Sequence, residues 1–374
     1  MIFTLFFILL VYIGSLIMLF IGNRKIPLTV LPESEPVVRF SILIPFRNEE
    51  KNLPSLLTGL DGIIYPPDFF EVIFINDASE DASVEIIRQH AFRNPNVKLV
   101  QNIRKSPAPK KDALETGISE AKHPWIVTTD ADCLLPSLWL QTLNEFILAK
   151  NPEMVCGPLT YRIKNNFLHE FQLAENLMLQ FVTKGAFGLR RPIMCNGGNL
   201  AYRKESFFEV DGFRGNESIA SGDDIFLMEK FRKHEKSILF LNSQKALVET
   251  QPLESLQEIL NQRVRWASKT SKQNNVFAMT LGIIVAAANL GFIFSLPAPL
   301  FLPGGIFFMI YIILKILVEG FLLFYIAAFL KKKIRLHLFL LAALINPFLF
   351  IIILYKSLYG NYSWKKRKFS LKNS

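Results

Sequence analysis

Residues 2–21, IFTLFFILLVYIGSLIMLFI, contain no charged side chain, and about 20 consecutive apolar residues are what an α-helix needs to cross the hydrocarbon core of a bilayer. No other stretch restricts the fold as tightly. A secretory signal peptide is the competing reading. Three features speak against it: no basic residue leads the run, no small-residue cleavage site follows it, and Arg24 and Lys25 come after it. The positive-inside rule then places the N-terminus outside and the following residues in the cytoplasm.

A second charge-free stretch extends from Gln273 to Leu314 and is broken by Pro297, Pro299, Pro303 and the pair Gly304-Gly305. It predicts helices at 277–296 and 306–330, and the cluster Lys331, Lys332, Lys333 and Arg335 ends the second on a cytoplasmic side. A last apolar run, 338–355, is interrupted by Asn346-Pro347. If it crosses, the basic tail Lys365, Lys366, Arg367 and Lys368 ends outside, against the rule. One apolar segment therefore reads as re-entrant or interfacial. Lys315 and Glu319, one helical turn apart within the third span, are either a self-neutralising pair or a polar lining for a lipid-linked substrate.

The formal net charge of +10 is unevenly spread. Residues 33–275 hold 29 Lys+Arg against 31 Asp+Glu, whereas residues 276–374 hold 11 basic side chains against Glu319 alone. The basicity belongs to the membrane segments, and a nucleic-acid partner is a poor explanation of it. A hydrophobic content of 51% excludes a disordered chain. Cys133, Cys156 and Cys195 are odd in number and lack metal-ligand spacing, so reduced cytoplasmic thiols are expected. The expected organisation is a transmembrane helix over 1–22 and a proline-bearing linker over 23–38 that includes Pro32. A cytoplasmic domain over 39–275 follows, then a membrane domain of two to three spans over 276–374.

Within the cytoplasmic part, RFSILIPF at 39–46 and EVIFIN at 71–76 are short apolar runs separated by a helical pattern at 49–61. Strand, helix, strand at this spacing is a βαβ unit, and it implies a parallel sheet buried on both faces. Helical stretches at 82–93 and 110–121 alternate with VKLV at 97–100 and WIVTTD at 125–130. Ligands of such open α/β sheets bind beyond the carboxyl ends of the strands, where Pro45 to Glu49, Asp77, Asp130 and Asp132 fall. Neither a Gly-x-Gly-x-x-Gly after the first strand nor a Gly-Lys-Ser/Thr phosphate loop is present.

Asp130-Ala131-Asp132 brings two carboxylates within reach of one hard cation, Mg²⁺ or Mn²⁺. Ser221-Gly222-Asp223-Asp224 precedes a helical pattern, so Asp224 lies near a helix N-terminus, suited to act as general base or to cap the helix. Gln262-Arg263-Val264-Arg265-Trp266 precedes the membrane segment, as an interfacial anchor or as a clamp for a pyrophosphate leaving group. The stretch 163–185 is either an interfacial helix or core packing.

In series, IPFRNEE (44–50), INDASED (75–81), KKDALETGI (110–118), TDADC (129–133), NGGNLAYRK (196–204), SGDD (221–224) and QRVRW (262–266) resemble the family 2 glycosyltransferases, which include cellulose, chitin and hyaluronan synthases. The resemblance covers 39–266. It implies a GT-A nucleotide-sugar-binding fold flanked by membrane helices, with a divalent cation as cofactor. Pro45, Asn48, Glu49 and Asp77 would then line the nucleotide pocket, Lys110 or Lys111 would approach the phosphates, and Asp132, with Asp130, would hold the metal. Asp224 would be the catalytic base supported by Asp223. Asn196 to Asn199 would shape the acceptor wall, and Gln262, Arg263, Arg265 and Trp266 would sit beside acceptor and diphosphate. Phe46-Arg47-Asn48 departs from the Ala-Tyr-Asn of many members.

The implied reaction is inverting transfer from a nucleotide-sugar, with UDP favoured by Asp77, to a hydroxyl of a lipid-linked or polysaccharide acceptor at the cytoplasmic membrane face. A polyprenyl-phosphate sugar synthase and a non-catalytic membrane subunit of an export complex are the alternatives.

Overall fold

The computed structural model describes residues 1–29, 33–164, 166–217, 219, 221–270, 275–359, 361–364 and 367–370. Pro32 of the expected linker, Gln273, and Lys365 and Lys366 of the basic tail lie outside the described residues. Two compact units form. One is a sheet unit of residues Pro27–Arg162 and Met194–Gln251; the other is a helical unit of Met1–Ile26, Ile163–Ile193 and the residues from Pro252 onward. The stretch at 163–193 thus folds with the apolar helices and not with the sheet, and so does the QRVRW segment.

In the sheet unit, β1 (Phe40–Phe46), β2 (Phe70–Asn76), β3 (Val97–Gln101) and β4 (Trp125–Thr128) are parallel, in the order β3-β2-β1-β4. β5 (Cys133–Leu134), β6 (Met154–Cys156), β7 (Leu159–Tyr161), β8 (Leu200–Arg203), β9 (Ile238–Phe240) and β10 (Val248–Thr250) complete the unit. β8 joins β4 antiparallel, and β6 and β9 extend the same sheet to seven strands, while β5, β10 and β7 form a separate three-stranded sheet. Phe40, Ile42, Ile44, Phe74, Trp139 and Val127 belong to one contiguous core, as expected of a sheet covered on both faces.

Pro45 sits inside the central strand β1, where a missing N–H is normally costly. The register explains its tolerance. The pairing of β1 with β4 ends at Leu43↔Thr128 and closes with Thr129 N–H donating to the Leu43 carbonyl at 3.2 Å. Alternate residues of a parallel strand bond to the same neighbour, so the bond Pro45 lacks would point past the end of β4.

Among the described residues, the helical unit contains four helices long and apolar enough to cross a membrane: Ile2–Lys25, Val276–Ser295, Gly305–Phe329 and Leu336–Ser357. The last runs through Pro347 without the interruption anticipated at Asn346-Pro347; the proline costs one backbone bond to the preceding turn. The helix Phe167–Gly188 packs against Ile2–Lys25 at a crossing made by glycine. A Cβ on Gly22 would lie 2.1 Å from the Gly185 carbonyl oxygen, and one on Gly188 would lie 1.9 Å from that of Gly22. Asn23 Nδ2 spans the same crossing, donating to the Leu19 carbonyl at 3.0 Å and the Phe181 carbonyl at 2.7 Å.

Glu319 Oε1 accepts from Tyr12 Oη at 2.6 Å and from Lys315 Nζ at 2.5 Å. Of the two readings of this pair, the geometry favours the structural one: both groups are spent on holding Gly305–Phe329 to Ile2–Lys25.

Candidate active site

The antiparallel pairing of β4 with β8 builds the site. Thr128 is registered with Leu200, so the chain leaving β4 through Asp130-Ala131-Asp132 and the chain entering β8 through Asn196-Gly197-Gly198-Asn199 lie at the same end of the sheet. Thr128 Oγ1 donates to the Gly197 carbonyl at 2.7 Å and ties the two loops together. The helix Asp223–Lys233 starts against them, with Gly222 before it at a φ of 84°, in the left-handed region that favours glycine.

Between these loops lies Lys110, in the first turn of the helix Pro109–Glu120. Its ammonium stands 2.8 Å from Asp130 Oδ1 and 3.3 Å from Asp223 Oδ2. Burial works against the charge, but Asp130 and then Asp223 outweigh it and hold Lys110 well above the ordinary lysine range. Asp224 accepts from the Gly197 N–H through Oδ2 at 3.1 Å and from the Ile225 N–H through Oδ1 at 2.8 Å. The neighbouring Lys111 is buried and turns elsewhere, its Nζ donating to the Asn216 carbonyl at 2.6 Å and lying 5.0 Å from the Phe226 ring centre.

The two glycines are needed for space. A Cβ on Gly197 would sit 3.2 Å from Asp223 Oδ2 and 3.5 Å from Lys110 Nζ, and one on Gly198 would sit 3.2 Å from Asp130 Oδ2 and 2.8 Å from Leu159 Cδ1. Bare backbone therefore occupies the gap between the Asp223-Asp224 pair and the Asp-x-Asp turn. Asn199, expected at an acceptor wall, has its carboxamide committed to the scaffold. Its Oδ1 accepts from Trp139 Nε1 at 2.9 Å, and its Nδ2 donates to the Pro158 carbonyl at 2.7 Å and the Ala246 carbonyl at 2.8 Å.

The donor atoms of Asp130, Asp132 and Cys133 lie within 4.8 Å of one another. The carboxylates suit a hard divalent cation that takes its remaining ligands from phosphate and water. The Cys133 thiol does not: burial, followed by the charges of Asp132 and Asp130, pushes it well above the ordinary thiol range, and a protonated sulfur is a poor ligand for Mg²⁺ or Mn²⁺. The cysteine was not expected among metal-ligating groups, and its chemistry keeps it out of the set. All three cysteines are buried free thiols.

A second cluster forms where β1 and β2 end. Asp77 Oδ1 accepts from Asn102 Nδ2 at 2.8 Å and Arg104 Nη1 at 2.9 Å. Asn48 and Ala78 both adopt left-handed backbone, with φ of 53° and 56°; asparagine tolerates this region, alanine does so only under restraint. Arg47 supplies the restraint. Its Nη1 donates to the carbonyls of Asp77 at 2.9 Å and Ala78 at 2.8 Å, and its Nη2 pairs with Glu80 at 2.9 Å. Asn48 Oδ1 accepts from the Glu80 N–H at 2.8 Å, and the Glu49 N–H donates to Ser83 Oγ at 2.8 Å. Arg47, noticed in the sequence only as a departure from a family pattern, fastens together the two loops expected to hold the nucleotide.

Gln262, Arg263, Arg265 and Trp266 lie on the helix Leu256–Thr270 of the helical unit. Arg263 forks onto Glu175 Oε2 through Nε at 3.1 Å and Nη2 at 2.9 Å, bonds Gln262 Oε1, and stacks 4.3 Å from the Trp266 ring centre. Its charge is matched by a carboxylate of the same unit.

An open, mostly parallel α/β sheet with an Asp-x-Asp turn at the end of β4 and a paired carboxylate at a helix start defines a GT-A nucleotide-sugar-binding domain. Residues 41–210 match the family described as Glycosyl transferase family 2, so the chain carries a domain of that family. It is 26% identical over 264 residues to a poly-beta-1,6-N-acetyl-D-glucosamine synthase of Staphylococcus epidermidis, covering 68% of this chain and 60% of that one. It is 22% identical over 261 residues to glycosyltransferase AglE of Haloferax volcanii, covering 66% and 80%. The match to the synthase thus spans less than two thirds of that relative's length. Among solved structures, a mannosyltransferase of Pyrobaculum calidifontis in complex with GDP-Man and Mn²⁺ shares the fold, with a TM-score of 0.58, 18% identity, and coverage of 95% of this chain and 96% of that one.

Proposed function

We propose that the chain is an inverting glycosyltransferase that moves a sugar from a nucleotide-sugar, with UDP preferred, to a hydroxyl of a lipid-linked or growing polysaccharide acceptor at the cytoplasmic face of a membrane. The observation that carries this reading is the juxtaposition of Asp223 and Asp224 with Lys110 and Asp130 around the Gly197-Gly198 backbone. Asp224 takes the proton of the acceptor hydroxyl as its oxygen bonds to the anomeric carbon, and the bond from that carbon to the diphosphate oxygen breaks on the opposite face. One displacement inverts the centre, so an α-linked donor yields a β-linked product. Lys110 adds fixed positive charge beside the carboxylates. A divalent cation held by Asp130 and Asp132 would offset the charge that develops on the departing diphosphate.

Support for a β-linked product comes from the synthase relative, whose name describes a beta-1,6 polymer. Support for a membrane setting comes from the four long apolar helices and from Arg24, Lys25 and the Lys331 to Arg335 cluster, which favour a cytoplasmic sheet unit. The domain limits in this reading are 1–22, 23–38, 39–275 and 276–374.

Nucleoside diphosphate release by detergent-solubilised protein tests the proposal, with a panel of UDP- and GDP-sugars, Mg²⁺ or Mn²⁺, and membrane lipid extract as acceptor. Lipid-dependent release from one donor supports it. Silence across the panel together with no nucleotide binding overturns it in favour of a non-catalytic subunit.

A further inference from the structure

On the helix Leu256–Thr270, Gln262 and Trp266 stand four residues apart, which places them on one face. Arg263 touches both. Its Nη1 donates to Gln262 Oε1, and its guanidinium carbon stands 4.3 Å from the Trp266 ring centre, within the range of a cation over an indole. The same guanidinium is held from outside the helix, because Glu175 Oε2 accepts from Nε at 3.1 Å and from Nη2 at 2.9 Å. Each nitrogen of Arg263 therefore has a protein partner. Gln262 and Trp266 are half-buried, whereas Arg263 beneath them is buried, its side chain only 7% exposed.

A guanidinium enclosed in this way is poorly placed to clamp a diphosphate, which needs a fork open toward the ligand. It is well placed to fix the two side chains it touches. Side chains ordered before a ligand arrives spare the binding step the entropy of ordering them.

Glu175 belongs to the helix Phe167–Gly188, which grips the same stretch of chain a second time. Gln172, one turn before Glu175, is fully buried and exchanges two bonds with Leu253: its Nε2 donates to the Leu253 carbonyl at 2.8 Å, and its Oε1 accepts from the Leu253 N–H at 2.9 Å. The ring of His169, one turn earlier still, meets Glu254 Oε2 at 3.0 Å. The helix Phe167–Gly188 is thus attached at the entry to Leu256–Thr270 and again at its middle. Two attachments at different levels fix the rotation of a helix about its axis, which a single one does not.

We propose that Glu175 is a positioning residue for the transferase, acting through Arg263 to hold Gln262 and Trp266 in the orientation that engages the acceptor. The inference rests on the transferase reading above and on the resemblance that puts Gln262 and Trp266 beside the acceptor. It moves Arg263 from the diphosphate to the support of its two neighbours.

The test uses the full chain in detergent, the nucleotide-sugar that the release assay selects, and membrane lipid extract as acceptor in varied amount. Glu175→Gln keeps the shape of the carboxylate and removes its charge. It is expected to raise the acceptor level for half-maximal release about tenfold, the effect of one charge-assisted contact, with KM for the donor within about twofold of wild type. Arg263→Lys keeps an ion pair with Glu175 but has no planar fork with which to hold Gln262 at the same time. It is expected to melt near wild type and to show the same rise. Glu175→Asp keeps the charge at shorter reach and should fall between wild type and Glu175→Gln, and it carries the test if Glu175→Gln does not fold. A lower thermal transition in Glu175→Gln with unchanged acceptor dependence assigns the pair to stability alone and overturns the proposal. Wild-type acceptor dependence in Arg263→Lys or Glu175→Asp does the same. A changed KM for the donor in Glu175→Gln with unchanged acceptor dependence returns Arg263 to the diphosphate and also overturns it. No release by wild type from any donor removes the transferase reading itself, a result distinct from an active wild type whose variants match it.

Discussion

The Gly197 N–H donates to Asp224 Oδ2 at 3.1 Å, so the carboxylate assigned to proton removal is oriented by the same glycine turn that separates it from the Asp-x-Asp loop. Its other oxygen accepts from the Ile225 N–H. Both of these bonds come from backbone.

Replacing Asp224 by Asn preserves the shape and removes the basicity. Transfer should fall by about 10²- to 10⁴-fold while nucleotide affinity in the presence of Mn²⁺ stays near wild type, since a general base contributes that much to rate. Titrating a fluorescent nucleotide beside the release assay measures both. Retention of more than about a tenth of the rate would remove Asp224 from the role.

Gly198→Ala inserts a methyl 3.2 Å from Asp130 Oδ2 and 2.8 Å from Leu159 Cδ1. Leu159 has side-chain freedom to yield, whereas the Asp-x-Asp turn has little. The expected result is a loss of tenfold or more in kcat/KM, given the roughly 10²-fold cost of a 1 Å misplacement, with a raised Mn²⁺ requirement. Activity against Mn²⁺ concentration reads both, and an unchanged curve would show that the turn accommodates the methyl.

Asn199→Ala leaves the Trp139 N–H and the Ala246 carbonyl without these partners, while the Pro158 carbonyl keeps the Val248 N–H at 3.2 Å. At about 1–3 kcal/mol for each buried group left unpaired, the sheet unit should lose several kcal/mol and the thermal transition should drop. If Asn199 acted on the acceptor instead, KM for the acceptor would rise with no change in melting.

Glu319→Gln breaks a buried pair whose Lys315 is only 3% exposed at the side chain. Leaving the ammonium uncompensated costs about 3–5 kcal/mol, so the protein in detergent should melt lower. The double change Glu319→Gln with Lys315→Met should recover most of the loss.

Burial and then Arg24 lower Lys184 below the ordinary lysine range, which gives a pH signature in detergent-solubilised protein. Between about 8, its folded value, and the ordinary lysine value near 10.4, the unfolded chain binds more protons than the folded one. Stability therefore rises with pH across that window, and the penalty is fully present below about 8. Melting measured from pH 7.5 to 9.5 should climb in wild type and lose that increment in Lys184→Met. An identical slope in the variant would assign the climb to other groups.

The parallel strands were legible because a sheet covered on both faces needs unbroken apolar runs, and RFSILIPF, EVIFIN and WIVTTD are such runs. The Asp-x-Asp turn and the Asp223-Asp224 pair stand out in the sequence as carboxylates after a strand and before a helix, and the resemblance to family 2 glycosyltransferases supplies their roles. Contacts between distant segments were not legible. Glu175 neutralises Arg263 from 88 positions away, and no local pattern near QRVRW announces it. The stretch 163–185 reads in sequence as either an interfacial helix or core packing; only the packing shows Asn176, Gln180 and Lys184 of helix Phe167–Gly188 buried. Arg47 stands out in the sequence only as a departure from the family pattern, and its part is seen once the carbonyls of Asp77 and Ala78 are found around it.

The glycine crossing has a consequence for biosynthesis. The helix Ile2–Lys25 carries one half of a contact whose other half, Gly185 and Gly188, is made more than 150 residues later. The sheet strands β1 to β7 are synthesised in between, so the helix Ile2–Lys25 keeps its glycine face unmatched while they appear. Assembly of the helical unit is therefore discontinuous in time, and a ribosome stalled before residue 188 leaves that helix without its partner.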